Sequence, residues 1–243
     1  MDRIGYRAAA IIAHILCFLG LVSLGVLPLL MSNTLVALAI AVVISAWGGG
    51  MIEVIVSPIT ESLPTEEKAA TMSLLHSFYC WGQMGVVIIT TICVWVFGTE
   101  IWYLLPIFWS VIPLYTTFMF MRVPLFSLVP AGQELSIKEL LGSPVFSIAL
   151  VLMLAAGASE HTMTQWSSIF AEVGLGVPKL VGDLVGPALF AFFMGVGRTI
   201  YGVWGDKLDL HRVLQAGSLL CITCYAAAVF SNIPLLALLG AAL

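Results

Sequence analysis

The chain has 243 residues, of which 61% are hydrophobic and only 9% charged, with a formal net charge of −4. Soluble domains carry about 25% charged residues; 9 Lys+Arg and 13 Asp+Glu cannot cover the exterior of a water-soluble globule of this length. A mean hydropathy of +1.10 leads the same way, to a polytopic membrane protein of the all-α class, and excludes a soluble enzyme. No basic run is present, which argues against a nucleic-acid partner and against a polybasic lipid anchor.

Charge-free stretches mark the membrane spans. Residues 8–52 contain no Asp, Glu, Lys or Arg, about twice the ~20 residues needed to cross a ~30 Å core. Pro28 and Met31-Ser32-Asn33 break this stretch near its middle, which predicts two helices in a tight hairpin. Residues 69–99 predict a third span and 101–121 a fourth. Residues 140–159 begin a fifth that continues past Glu160. A sixth is expected over about 182–201 with Arg198 inside it, a seventh over about 213–230, and an eighth from near Asn232. The first apolar stretch is too long for a secretory signal and shows no small-residue cleavage site before the next span. Cys17, Cys80, Cys93, Cys221 and Cys224 all fall inside predicted helices, where they read as small buried apolar residues. The spacing Cys221-Ile222-Thr223-Cys224 has no second pair, so no metal or redox role is assigned to it.

Loop charges predict the orientation. With residues 1–7 cytoplasmic, residues 61–68, 122–143 and 206–212 lie on the same side. That side collects Arg3, Arg7, Lys68, Arg122, Lys138, Lys207 and Arg212, against Lys179 alone on the other. Such an excess of Lys and Arg is the cytoplasmic signature of multi-pass proteins. Residues 122–143, with Pro124, Pro130 and Gly132, form the one long polar break. They are expected to link a bundle of four spans over 1–121 to a second bundle over 144–243. Both halves also place an acid, a base and a later base at a turn between apolar helices: Asp2-Arg3 with Arg7, and Asp206-Lys207 with Arg212. Parallel repeats of this kind occur in transporter folds built from two similar halves.

These turns resemble the signature of the major facilitator superfamily, Gly-x-x-x-Asp-Arg/Lys-x-Gly-Arg-Arg, which stands between its second and third helices and again, degenerate, between the eighth and ninth. Asp2, Arg3, Gly5 and Arg7 match the first copy from its acid onward. Gly202, Asp206, Lys207 and Arg212 match the second, which departs from the pattern at Asp209, where glycine is usual. The resemblance covers the whole chain and implies helices three to about ten of that fold, truncated at both ends, in a multi-pass cell (plasma or inner) membrane protein. Within the superfamily, three stretches are similar to the fucose-permease type of sugar:proton symporter. They are Gly48-Gly49-Gly50-Met51-Ile52-Glu53 with Ser57-Pro58, the run Leu74–Gly82 including His76, Tyr79 and Trp81, and Glu160 through Trp166.

Ionisable groups inside spans carry the functional reading, because each costs ~2.5–3.5 kcal/mol at the bilayer centre and so tends to face a cavity. Glu53 stands alone in its span and is assigned either to proton coupling or substrate binding, or to a structural partner on a neighbouring helix. The resemblance implies the former, since fucose-permease-type carriers place a functional carboxylate in this helix. His76, Tyr79 and Gln83 share one helix face by spacing, with Trp81 off that stripe. His161, Thr164, Gln165 and Ser168 form a second face, with Glu160 and Trp166 beside it. Both faces are candidates for the cavity lining; the bland alternatives are hydrogen-bonded packing and a helix end emerging from the membrane. Arg198, close to a loop, is expected to snorkel there and to join Asp2, Arg3, Arg7, Asp206, Lys207 and Arg212 in cytoplasmic charge clamps that hold one conformation.

The expected function is secondary transport of a small polar solute, sugar-like, by proton-coupled alternating access between two bundles. A drug or metabolite exporter of the same superfamily and a non-transporting fragment are the alternatives. No nucleophile–base set and no metal-ligand spacing stands in the sequence, so neither an enzyme nor a cofactor or metal is called for. The partners are the solute, protons and the lipid bilayer.

Overall fold

The computed structural model describes residues 4–125, 136–231 and 233–242, with side chains at 206, 234, 235 and 242 excepted. All regular structure among them is helical: α1 (Gly5–Leu30), α2 (Thr34–Glu61), α3 (Lys68–Phe97), α4 (Leu104–Trp109), α5 (Val111–Arg122), α6 (Ile137–Leu141), α7 (Pro144–Ile169), α8 (Lys179–Asp183), α9 (Leu189–Trp204), α10 (Leu210–Phe230) and α11 (Pro234–Ala242). Seven stretches among the described residues are long and apolar enough to cross a membrane, with α4–α5, α7 and α8–α9 each counting as one through a continuous turn. A helix satisfies its own backbone in lipid, and this is why a sequence so poor in polar surface takes this form throughout.

Several boundaries differ from the sequence expectation, each for a local reason. Gly98, at a φ of +81°, closes α3, and a 3₁₀ turn Thr99–Ile101 follows, so the fourth span starts at Leu104. Gly142-Ser143-Pro144 separates the short α6 from α7, moving the start of the fifth span to Pro144 at the first helical position. The sixth span begins earlier than expected: Lys179 opens α8 and pairs with Asp183 at 3.2 Å one turn on. Between α8 and α9 a π-helical turn, Leu184–Ala188, contains Pro187, which has no N–H to give. The expected eighth span is represented by the nine residues of α11.

The chain divides into two compact units, Met1–Pro64 with Val94–Glu134, and Thr65–Cys93 with Leu135–Leu243. The division does not follow chain order, since residues 65–93, expected in the first bundle, group with the second unit.

In the first unit α1 and α2 form the expected hairpin. Asn33 caps α2, its side-chain oxygen accepting from the Val36 N–H at 3.2 Å. Lipid gives two apolar helices no hydrophobic reason to associate, so they meet through small residues that let the backbones approach. Ala9, Ala10 and Ala13 of α1 are buried with Ile55 of α2, flanked by Tyr6, Met51, Ile52, Ile59 and Phe120. At Gly48 a Cβ would stand 2.6 Å from the Cys17 backbone nitrogen and 2.8 Å from the Ala13 carbonyl, so only glycine fits that crossing. Arg7 donates to the carbonyls of Met121 at 3.2 Å and Val123 at 2.9 Å, satisfying the C-terminal end of α5.

In the second unit α9 is the central packing element. Gly195 lies against Cys80 and Trp81 of α3, where a Cβ would meet the Cys80 Cβ at 3.2 Å, and Gly202 lies against Leu74 at 2.9 Å. Gly186 faces Ser167 of α7 at 2.9 Å, and Gly240 of α11 faces the Cys224 carbonyl of α10 at 2.6 Å. The polar groups described next are held in place by these close approaches.

Candidate functional site

Three helices of the second unit bring polar side chains together. Glu160 of α7 and Arg198 of α9 form an ion pair, with Nη2 to Oε2 at 3.2 Å and both side chains partly buried, at 28% and 29% exposure. Either charge alone would cost ~2.5–3.5 kcal/mol in the membrane interior, so pairing is the cheaper arrangement by a wide margin. The expectation that Arg198 snorkels to the loop is therefore corrected. A helical Cβ leans toward the helix N-terminus, which turns the Arg198 side chain away from the nearby Trp204 end and toward the middle of the span. Glu160 leans toward the Pro144 end of α7 for the same reason.

The α3 side of the site is built from Ser73, Cys80 and Trp81. Ser73 donates its hydroxyl proton to the Arg198 carbonyl at 2.9 Å. The Trp81 indole N–H donates to the Thr199 hydroxyl oxygen at 3.2 Å, and that hydroxyl donates to the Gly195 carbonyl at 2.7 Å. Trp81 also packs edge-on to Phe192, with ring centroids 5.9 Å apart. The buried Cys80 thiol is within electrostatic reach of both Arg198 and Glu160. From α10, the Tyr225 hydroxyl donates to the Ser159 carbonyl at 2.8 Å, pinning α7 next to Glu160.

The helix faces used differ by rotation from those expected. On α7 the packed face runs Glu160, Thr164 and Ser167 and continues to Ala171 in the π-helical turn Phe170–Gly174 that follows, with Ser167 and Ala171 fully buried. His161, Gln165 and Trp166 are exposed. Thr164 gives its proton to the Glu160 carbonyl at 2.7 Å. On α3 the packed face is Ala70, Ser77 and Cys80; His76 and Gln83 are half-buried on its flank and Tyr79 is exposed. Spacing alone gives the period of a polar stripe but not which neighbouring stripe meets the partner helix. Glu53 is exposed on α2 in the first unit, and no described residue pairs with it.

Asp183 and His14 escaped the sequence reading, and Ser168 of the second polar face finds its partner in the first of them. Ser168 donates to the Asp183 carboxylate, which Lys179 also holds, so α7 and α8 are tied together at the π turn. His14, buried on α1, hydrogen-bonds through Nδ1 to the Ala10 carbonyl at 2.7 Å and packs on Phe120 at 5.0 Å. The aspartate and the buried histidine by themselves carried no signal here; contacts across helices, with Ser168 and Phe120, give these residues their place.

Of the expected clamp, Asp2 and Arg3 lie outside the described residues, as does the side chain of Asp206. Arg7 is bound to backbone carbonyls of α5. Lys207 is exposed, and Arg212 meets Asp209 at 3.4 Å on the surface. Asp209, the departure from the family pattern, caps α10 by accepting the His211 N–H at 2.9 Å.

An ion pair between membrane-length helices, with glycines at several of the crossings, marks this region as the candidate site of the second unit. The family model of the Major Facilitator Superfamily matches residues 1–243. The chain belongs to the major facilitator superfamily. No curated protein and no solved structure matches it. As a superfamily member it is a secondary transporter of small solutes across a membrane, with seven apolar spans among its described residues. No group of His, Cys, Asp and Glu among the described residues is arranged to hold a metal ion.

Proposed function

We propose that this superfamily member couples a proton to the movement of a small polar, sugar-like solute by alternating access, and that Glu160 is the proton-carrying carboxylate. The observation that carries this reading is the partly buried Glu160–Arg198 pair at 3.2 Å. A carboxylate beside a fixed cation has two low-cost states only if its proton occupancy changes together with what the cation binds. Trp81, His76 and Gln83 on the neighbouring α3 supply an aromatic face and hydrogen-bonding groups suited to a hydroxylated ligand. The resemblance of residues 48–53, 74–82 and 160–166 to fucose-permease-type symporters supports the same assignment and gives Glu53 of α2 a second coupling role. Arg7, Lys207 and Arg212, with Asp2, Arg3 and Asp206, would hold one conformation from the cytoplasmic loops.

The test is uptake of radiolabelled small polar solutes, with hexoses, polyols and sugar acids tried in parallel, into proteoliposomes with an imposed pH gradient. Accumulation is expected to follow the gradient in the native protein. Glu160→Gln is expected to abolish accumulation while leaving exchange of labelled for unlabelled solute. Accumulation in the native protein that ignores the pH gradient would overturn the coupling.

A further inference from the structure

The Glu160–Arg198 pair is made by one N–H···O contact. A guanidinium carries five N–H donors in a planar fork that fits a carboxylate through two parallel hydrogen bonds. No described residue accepts from the other donors of Arg198, and nearly a third of its side chain is open to the surface of the unit. One turn along α3 from Cys80, the side-chain oxygen of Gln83 is buried with no hydrogen-bond partner among the described residues. A buried acceptor without a donor is the complement of a ligand hydroxyl.

Charge balance narrows the solute. The Cys80 thiol of α3 lies within electrostatic reach of the pair, the Tyr225 hydroxyl of α10 is engaged by the Ser159 carbonyl, and His161, next after Glu160 on α7, is exposed. Asp183, the other acid of this region, is engaged by Lys179 and Ser168. If Glu160 takes up a proton while a neutral solute binds, Arg198 is left as an uncompensated cation within the span, which is the costly way to break such a pair. An anionic solute removes that cost. The site is neutral before, with Glu160 ionised, and neutral after, with Glu160 protonated and the solute carboxylate on Arg198.

We propose that the solute of this site is a hydroxylated monocarboxylate of the sugar-acid class, which replaces Glu160 on the Arg198 guanidinium as Glu160 takes one proton from water. This rests on the transport reading above and narrows its solute.

The test is calorimetric binding to the full chain in lipid nanodiscs, with D-glucuronate and D-galacturonate set against D-glucose and D-galactose. Measurements at pH ~5.5 and ~7.5, in buffers of differing ionisation enthalpy, count the protons taken up. The uronates are expected to bind with about one proton each, weakening about tenfold per pH unit once Glu160 is ionised. Arg198→Gln is expected to lose uronate binding, and Arg198→Lys to retain part of it. Glu160→Gln is expected to bind uronates with no proton uptake and no pH dependence. The double variant Glu160→Gln/Arg198→Gln, which removes both charges together, is expected to keep its helical circular dichroism and bind no uronate, separating ligand loss from unfolding. Binding of a hexose as tightly as its uronate, uronate binding without proton uptake, or no uronate binding by the native chain would each overturn the proposal. Hexose binding with uptake driven by the pH gradient would do so while leaving proton-coupled transport standing.

Discussion

Trp81 and Thr199 are joined by an indole N–H···O hydrogen bond of 3.2 Å between α3 and α9, and Thr199 passes its own proton to the Gly195 carbonyl at 2.7 Å. Thr199 follows Arg198 directly, and Gly195 is where α9 comes close enough to α3 for a Cβ to press on Trp81 at 3.2 Å. One turn of α9 therefore holds both the close crossing and the cation of the site. Trp81→Phe keeps the edge-on packing against Phe192 and removes the donor; Thr199→Val removes the acceptor with little change of shape. Each is expected to lower the unfolding free energy in mixed micelles by about 1 kcal/mol. Interhelical hydrogen bonds of this kind couple by ~0.6 kcal/mol on average in membranes, so the double variant should lose clearly less than the sum. Strict additivity would show that the bond contributes nothing.

The triplet Gly48-Gly49-Gly50 divides into one packing residue and two others. A Cβ at Gly48 collides with the α1 backbone at 2.6 Å, while Gly49 and Gly50 have open space around theirs. Gly48→Ala is expected to destabilise by ~1–3 kcal/mol, since the obstacle is backbone and cannot swing aside. Gly49→Ala and Gly50→Ala remove helix-interior glycines and are expected to be neutral or to stabilise by up to ~1 kcal/mol. Thermal unfolding of the three variants in detergent checks the order; equal effects at the three positions would contradict the packing.

The class and most of the spans were legible from charge spacing because lipid penalises charge uniformly, whatever the helix touches. The α1–α2 break was legible too, since Asn33 follows Pro28 with Met31-Ser32 between. What spacing could not supply was helix rotation. His161 and Gln165 share a face as cleanly as Glu160, Thr164 and Ser167 do, and only the approach of α8 and α9 decides which one is buried. Arg198 was misplaced for a related reason: its distance from a loop suggested snorkelling, but the lean of a helical side chain, together with an acid on α7, sent it inward. The grouping of residues 65–93 with the second unit depends on the α9 glycines, whose partners are remote in sequence.

Outside the spans, Ser136 and Glu139 form a capping box at the start of α6. The Ser136 hydroxyl donates to Glu139 Oε2 at 2.7 Å and the Ser136 N–H to the same oxygen at 2.8 Å, while the Glu139 N–H returns a bond to the hydroxyl at 3.3 Å. The hydroxyl first, and then the backbone N–H, hold the Glu139 carboxyl below its ordinary value. A depressed acid stabilises its fold above its unfolded pKa, ~4.3 for glutamate, and loses that contribution as pH falls through the folded value. The cap is thus expected to be fully formed at neutral pH and to open only under acid conditions. Ser136→Ala should move the Glu139 titration, followed by carbon NMR of labelled glutamate, up toward the ordinary range. An unmoved midpoint would show that the cap does not govern this carboxyl.

The orientation rests on charge alone, and it can be tested without knowing the solute. Arg3, Arg7, Lys68, Arg122, Lys138, Lys207 and Arg212 all fall at one set of alternate loops, and Lys179 is the sole base at the other. A bias of this size predicts that the first set is cytoplasmic. Residue 133 belongs by sequence to the polar stretch between α5 and α6, expected on the basic side; Glu100, in the exposed turn after α3, is expected on the other. Replacing Cys17, Cys80, Cys93, Cys221 and Cys224 by alanine gives a background free of thiols, at modest packing cost because cysteine is small. In that background Gln133→Cys is expected to resist a membrane-impermeant maleimide in intact cells and to react once the cells are permeabilised. Glu100→Cys is expected to react from outside without permeabilisation. The reciprocal pair guards against a position that is merely shielded, since a site blocked by packing would stay silent under both conditions. Labelling of Gln133→Cys in intact cells, with Glu100→Cys protected, would reverse the topology. It would also move the proposed clamp of Arg7, Lys207 and Arg212 to the outer face.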